Sequence, residues 1–276
     1  HPPFGHSGET TLNELMSKHG GFEHNAHSLR IVEDLETRYA DFDGLNLTWE
    51  VREGIVKHNS EHDRPALNDE YEPNMAPGLE AQIADAADEI AYNNHDIDDG
   101  LSSGMIDPEA LFEVELWREN FEAIKSAHPD ADFKLLRHQT IVRIINAQVT
   151  DLVDGVEKTL DEEGIKTLED VRKRKRPLAR FGHEMAAKNK LLKRFLMENL
   201  YRHHRVIRMA DKAGRILKEL FKAYLREPKL LPPHVATLIV KGKAGEYRVV
   251  CDYIAGMTDR FALDEYKKLF DPYERV

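Results

Sequence analysis

His1, His6, Glu9, His24 and His27 are acid–base side chains that all lie within the first 27 residues. The opening HPPFGHSGE sets two imidazoles five apart across a Pro-Pro-Phe-Gly turn, with a carboxylate three residues beyond the second. Imidazole titrates near neutrality, and a neighbouring glutamate can share its proton and tune it for acid or base work. Any one of the 14 histidines reads more simply as a cap or surface residue. Five such groups around a rigid turn favour a functional reading.

A second constellation lies on a helix expected over about 79–100. Ile83, Ala87, Ile90, Asn94, Ile97 and Leu101 form one stripe at spacings of three and four, while Asp85, Asp88, Tyr92, His95, Asp96 and Asp99 take the opposite face. That face offers a metal-ligating carboxylate, a ring and a hydroxyl-binding carboxylate on successive turns. The same pattern also describes a solvated helix face, although clustered aspartates repel one another unless a cation neutralises them. A third constellation is a long helix expected over about 184–226. Leu192, Leu196, Asn199, His203, Val206 and Ala210 begin its apolar stripe; Arg194, Tyr201, Arg205, Arg208, Lys212 and Arg215 line the other side. Cations around one tyrosine suit a polyphosphate, and a solvated basic face is the plainer alternative. Lys57-His58-Asn59 adds a cation from another helix.

The chain that must position these groups has 276 residues, 41% hydrophobic and 32% charged. That supplies a sizeable core and excludes a disordered chain. No run approaches the ~20 apolar residues of a membrane span. Cys251 is the single cysteine, which excludes an internal disulfide framework and a multi-cysteine metal site and fits a reducing, cytoplasmic setting. The net charge of −11 conceals a division: residues 1–120 carry −20, residues 121–276 carry +9, and 172–226 alone carry +14. An acidic wall beside a basic one suits a metal on one side of a site and an anion on the other. The run Arg172–Arg176 is also a weak candidate for nucleic acid. GxxxxGK[ST], GxSxG and HExxH are all absent, so P-loop, serine-hydrolase and zincin chemistries are excluded.

Helical period dominates, and the fold class is all-α. Thr11 and Glu14 have capping-box spacing for a short helix that Gly20-Gly21 stops; Asn25 is a cap candidate for the next, with Leu29, Val32 and Leu35 on one face. A polar loop spans about 59–78. Pro108 opens a further helix, and helical patterns cover about 134–163 and 167–175. Residues 236–250, β-branched around Lys241-Gly242-Lys243, read as a hairpin or a loop.

Taken together and in order, HPPFGHSGE, GGFEHNAHSLRIVEDLE, ADEIAYNNHDIDDG, YRHHRV and CDYIAGMTDRFAL closely resemble the bacterial deoxyguanosine-triphosphate triphosphohydrolase-like proteins of the HD phosphohydrolase superfamily. The resemblance runs from residue 1 to about 270. It implies an all-α HD-type domain over 1–276, with 1–105 the remainder of the HD core and 106–276 a helical C-terminal region. It implies a divalent metal, Mg²⁺ or Mn²⁺, and conversion of a dNTP to deoxynucleoside and tripolyphosphate. A homo-oligomer, a dNTP activator and no membrane association are also implied. Carried onto this chain, Asp88 matches the family's last metal-binding aspartate, Tyr92 the tyrosine beside the nucleotide, and Asp96 the carboxylate near the sugar 3′-hydroxyl. His6 and Glu9 match the catalytic dyad, and His1 and His24 the histidines of the phosphate region. Tyr201 matches a tyrosine beside the deoxyribose, and Lys57 and Arg194 are looser phosphate contacts. The family's other three metal ligands would precede residue 1, so the chain reads as lacking its N-terminal part, with weak metal binding and little activity by itself. The alternatives are another HD-type phosphohydrolase and a nonenzymatic nucleotide- or nucleic-acid-binding protein.

Overall fold

The computed structural model describes residues 1–58, 69–241 and 245–275. Its regular elements among the described residues are helical. They are α1 (Gly5–Met16), α2 (His24–Arg30), α3 (Trp49–Val56), α4 (Leu79–Ser102), α5 (Pro108–Leu111), α6 (Glu115–Ala127), α7 (Phe133–Glu162), α8 (Leu168–Arg172), α9 (His183–Leu196), α10 (His204–Arg226), α11 (Pro233–Lys241), α12 (Glu246–Ala255) and α13 (Asp259–Phe270). The all-α expectation is met. The chain divides into two compact units, residues 1–46 with 205–276, and residues 47–204.

In the first unit, Leu12 and Met16 of α1 pack with Leu217, Leu220, Phe221 and Tyr224 of α10 and with Val250, Cys251 and Ile254 of α12. Gly8 permits the tightest approach: a Cβ there would lie 1.8 Å from the Pro3 carbonyl oxygen. Helix α1 begins seven residues earlier than the Thr11 capping box suggests. The Gly5 N–H donates to the Pro2 carbonyl, 3.1 Å, and Phe4 adopts a left-handed conformation at φ 65°. Such a conformation is costly for a residue with a Cβ, and Phe4 is held there by its N–H bond to Asp259, 2.8 Å. Thr11 therefore sits inside the helix, where its hydroxyl donates to the Ser7 carbonyl. Gly20-Gly21 does end the segment, with the Gly21 N–H on the Met16 carbonyl. Glu23, not Asn25, caps α2: its carboxylate accepts from the Asn25 and Ala26 N–H groups.

The segment read as a hairpin or loop is two helices, α11 and α12, with residues 242–244 outside the described residues. Pro233 presets the first helical φ. Val235, Ala236 and Ile239 then share one face, as do Val250 and Ile254 in α12, and packing on the unit's core overrides β-branched propensity. Of the polar loop at 59–78, residues 59–68 also lie outside the described residues.

In the second unit, Ile97 of α4, Trp117 of α6, Ile144 of α7 and Leu192 and Leu196 of α9 form the core. A buried amide ladder crosses it. Asn94 Nδ2 donates to Gln148 Oε1, and Gln148 Nε2 donates to Asn189 Oδ1, each at 2.7 Å. These bonds join α4, α7 and α9 in one register, because a shift along any helix leaves buried amides unpaired. The apolar stripe of α4 is buried only in its second half: Ile90 and Ile97 are covered, while Ile83 is exposed. The long helix expected over 184–226 is two helices, broken by a π turn at Met197–Tyr201. There the Asn199 side chain bonds the Phe195 carbonyl at 3.0 Å, competing with the helical ladder.

Candidate functional site

The first unit gathers the N-terminal imidazoles around one carboxylate. Glu9, one turn into α1, receives the His24 backbone N–H at 2.9 Å and stands 3.0 Å from His24 Nδ1 through each oxygen. His6 Nδ1 lies 3.6 Å from the same carboxylate and His1 Nδ1 3.9 Å. The His1 ring packs against His6 and His24, with centroids 4.5 and 4.2 Å apart. His24 is buried, whereas the His1 and His6 side chains are 42% and 40% exposed, so these two face the side open to a ligand. Burial pushes the Glu9 carboxyl upward, but hydrogen bonds from the His24 ring, His6 and the His24 backbone outweigh it and hold it well below the usual carboxylate range. A fixed anion of this kind orients the imidazoles around it. Ligand atoms of His1, Glu9 and His24 lie within 4.8 Å of one another, a spacing open to a metal ion as well.

The same unit holds a group whose partners the sequence did not disclose. Asp252 accepts from Arg30 Nε and Nη2 at 3.0 and 2.9 Å. Its other oxygen, 3.7 Å from His27 Nδ1, has no hydrogen bond, and neither ring nitrogen of His27 has one. Burial, with Arg248 and Arg30 nearby, pushes the His27 pKa down to about 4. His27 is thus a neutral core histidine rather than a fifth member of the cluster. In the CDYIAGMTDR string, Asp252 holds Arg30 and Asp259 holds the Phe4 backbone.

The second unit presents the aspartates and tyrosines of α4. The Tyr201 hydroxyl donates to Asp96, and the Tyr201 and Tyr92 ring centroids are 6.2 Å apart. Burial raises the pKa of all three groups; Asp96 adds its charge to the upward push on both phenols. The pair therefore presents a hydroxyl–carboxylate couple beside an aromatic face, suited to a sugar hydroxyl and a flat ring. Asp88, one turn earlier, is 64% exposed and 3.9 Å from His58 Nε2, while His58 Nδ1 is held by Asp85 at 2.5 Å. A carboxylate that fixes an imidazole and leaves its far nitrogen beside a second carboxylate is a donor set that fits a divalent metal. The sequence carried this signal only as Lys57-His58 and Asp85 on separate helices.

Lys57 itself does not stand ready for a phosphate. Its ammonium is buried and donates to Glu53 and to the Glu72 and Met75 carbonyls, at 2.7, 3.1 and 2.8 Å, which uses its three protons. Arg172, first of the basic run, is buried too; it bonds Glu53 and Glu72 and stacks over Trp49. Lys173 pairs with Glu169 and Arg174 with Glu163. Three of the five cations considered for nucleic acid are thus committed inside the chain. Arg194, by contrast, is exposed on α9.

Residues 179–268 match a family model described as a phosphohydrolase-associated domain. The chain is 54% identical over its whole length to a deoxyguanosinetriphosphate triphosphohydrolase-like protein of Geobacter sulfurreducens, of which it covers 71%. A protein of the same description from Geobacter metallireducens is 53% identical over all of the chain and 71% of its own length. One from Thiobacillus denitrificans is 47% identical over 98% of the chain and 72% of its own length. No described helix is long and apolar enough to cross a membrane. Identity of this order, sustained from the first histidine cluster through α13, shows that the chain belongs to the deoxyguanosinetriphosphate triphosphohydrolase-like family.

Proposed function

We propose that this protein hydrolyses deoxynucleoside triphosphates to deoxynucleoside and inorganic tripolyphosphate with a divalent metal. The observation that carries the reading is the Glu9 carboxylate clasped by His24 and approached by His6 and His1. A carboxylate kept ionised beside a half-exposed imidazole prepares His6 to hold a proton at Nε2 and deliver it to a leaving oxygen. His1, half-exposed, offers its ring to the phosphate groups, and buried His24 holds Glu9 in place beside it. Asp88 and His58 would hold Mg²⁺ or Mn²⁺, which when bound polarises a phosphate and acidifies water. Asp96 accepts a sugar hydroxyl, Tyr92 packs the nucleoside, and Tyr201 fills the space of a 2′-hydroxyl. Arg194 offers charge to the triphosphate.

The test uses the full-length protein with each dNTP and rNTP, with Mg²⁺ or Mn²⁺, and products resolved by phosphorus NMR. Tripolyphosphate from dNTPs only is expected. His6→Ala and Glu9→Ala should lower turnover by roughly 10²–10⁴, the range for a lost proton donor, with dNTP binding largely kept. Orthophosphate or pyrophosphate as product would move the reading to another HD-type phosphohydrolase. Binding without turnover would leave a nucleotide-binding protein.

A further inference from the structure

Three imidazoles turn the same ring atom toward one carboxylate. The Nδ1 atoms of His24, His6 and His1 stand 3.0, 3.6 and 3.9 Å from oxygens of Glu9. Around a tetrahedral ion with bonds of about 2.0–2.1 Å to nitrogen and oxygen, neighbouring donors lie roughly 3.3 Å apart. The three separations therefore come within about 0.6 Å of the edge such an ion requires. Ligand atoms of His1, Glu9 and His24 also fall within 4.8 Å of one another, which leaves at most about 1.5 Å to close between the two rings.

The fold sets these donors before any ion arrives. Glu9 stands on α1, and its carboxylate is tied to the start of α2 by the His24 backbone N–H at 2.9 Å. The His24 ring is buried against it, so this pair keeps its spacing without a ligand. His1 precedes Pro2-Pro3, whose rings fix φ and whose turn is closed by the Gly5 N–H on the Pro2 carbonyl. Its ring is half-exposed and packs on His24 with centroids 4.2 Å apart. Rotation of this exposed ring supplies the remaining movement.

Two imidazoles and one carboxylate are a donor set for a borderline-soft ion such as Zn²⁺, with one position left open. Mg²⁺ prefers oxygen ligands in an octahedron and keeps its waters, so it gains little from two rings. We infer that His1, Glu9 and His24 form a Zn²⁺-type site that shares no ligand with the ion assigned to Asp88 and His58. The fourth position goes to water or to His6 Nδ1, 3.6 Å from the same carboxylate. Binding replaces the protons that the rings share with Glu9 and releases them. The consequence for turnover rests on the function proposed above. An ion here takes the carboxylate that orients His6 and the ring offered to phosphate, so Zn²⁺ stops the hydrolysis that Mg²⁺ or Mn²⁺ supports.

The test uses the full-length protein in excess Mg²⁺, with Zn²⁺ as the probe and its affinity read by competition against a chromophoric chelator. Glu9→Gln and His1→Gln should each weaken one Zn²⁺ site at least ten-fold, because each removes a ligand. Asp88→Asn should leave the affinity of that site unchanged. His1 is half-exposed, so its variant spares the core, and an unchanged melting temperature confirms that it folds. Crystals soaked in Zn²⁺ should show an anomalous scattering peak between Glu9 and His24. A peak found elsewhere, or a Zn²⁺ affinity indifferent to both Glu9→Gln and His1→Gln, would overturn the inference. In turnover assays Zn²⁺ should stop the Mg²⁺-supported reaction, more Mg²⁺ should fail to restore it, and a Zn²⁺ chelator should succeed. Undiminished turnover with the site filled would overturn the inhibitory role. Binding is read without substrate, so intact Zn²⁺ capture in a protein that hydrolyses no dNTP supports the site and sinks the functional reading.

Discussion

His27 ties stability to acidity with a definite sign. Its ring is buried in the first unit with both nitrogens unbonded, and its pKa falls from 6.5 to about 4. Between those values the unfolded chain binds a proton that the folded chain refuses, so stability is lost as pH falls from about 6.5 to 4. Above this window the residue contributes no pH dependence, and below it the loss is complete. At about 1.36 kcal/mol per pH unit, the full loss is roughly 3 kcal/mol. His27→Met keeps a flexible apolar body of similar size and removes the titration. Urea unfolding of wild type and variant at half-unit steps from pH 4 to 7.5 gives the difference directly, because the other titrating groups are common to both. The wild type should lose about 3 kcal/mol relative to the variant across the window, with the two flat against each other above pH 7. Parallel curves throughout, or a His27 ring that titrates near 6.5 by NMR, would show that Asp252 stabilises the imidazolium and that the reasoning from burial is wrong.

Gly8→Ala should disturb the site through packing alone. A methyl group 1.8 Å from the Pro3 carbonyl oxygen forces the Pro-Pro turn off α1, at roughly 1–3 kcal/mol of overpacking. A lowered melting temperature together with lost turnover is expected, and an unchanged melting temperature would contradict the contact. Gln148→Leu removes two buried amide bonds and strands Asn189 Oδ1, costing about 2–4 kcal/mol. A change below about 0.5 kcal/mol in chemical denaturation would mean the ladder does not fix the helices.

The helices with strong apolar period were legible: α4, α7 and the Pro108 start all lie where spacing and caps place them. What spacing could not give was decided at a distance. Asp259 selects the left-handed turn before α1 from 255 residues away, and no local signal marks it. The β-branched stretch after Pro232 became helical because its apolar residues meet α10 and α1 on one side, a fact of tertiary packing. The histidine–glutamate cluster was readable because its members are close in sequence. Lys57 was misjudged for the opposite reason: its partners Glu72 and Met75 lie beyond an intervening loop, and a cation looks the same in sequence whether buried or exposed. The Asp85–His58–Asp88 arrangement needed α3 and α4 to meet before it could be seen.

The π turn at Met197–Tyr201 changes how this stretch tolerates insertions and deletions. Each π turn holds one residue more than the α-helical count, so it rotates the downstream residues by about 100° relative to an unbroken helix. Tyr201 meets Asp96 with that extra residue in place. Removing a single residue there would yield a more regular helix and carry the tyrosine round to another face. A sequence aligned here without a gap can therefore share every helix and still lack the couple, which makes the residue count between Leu196 and Tyr201 a better guide to this feature than the presence of a tyrosine.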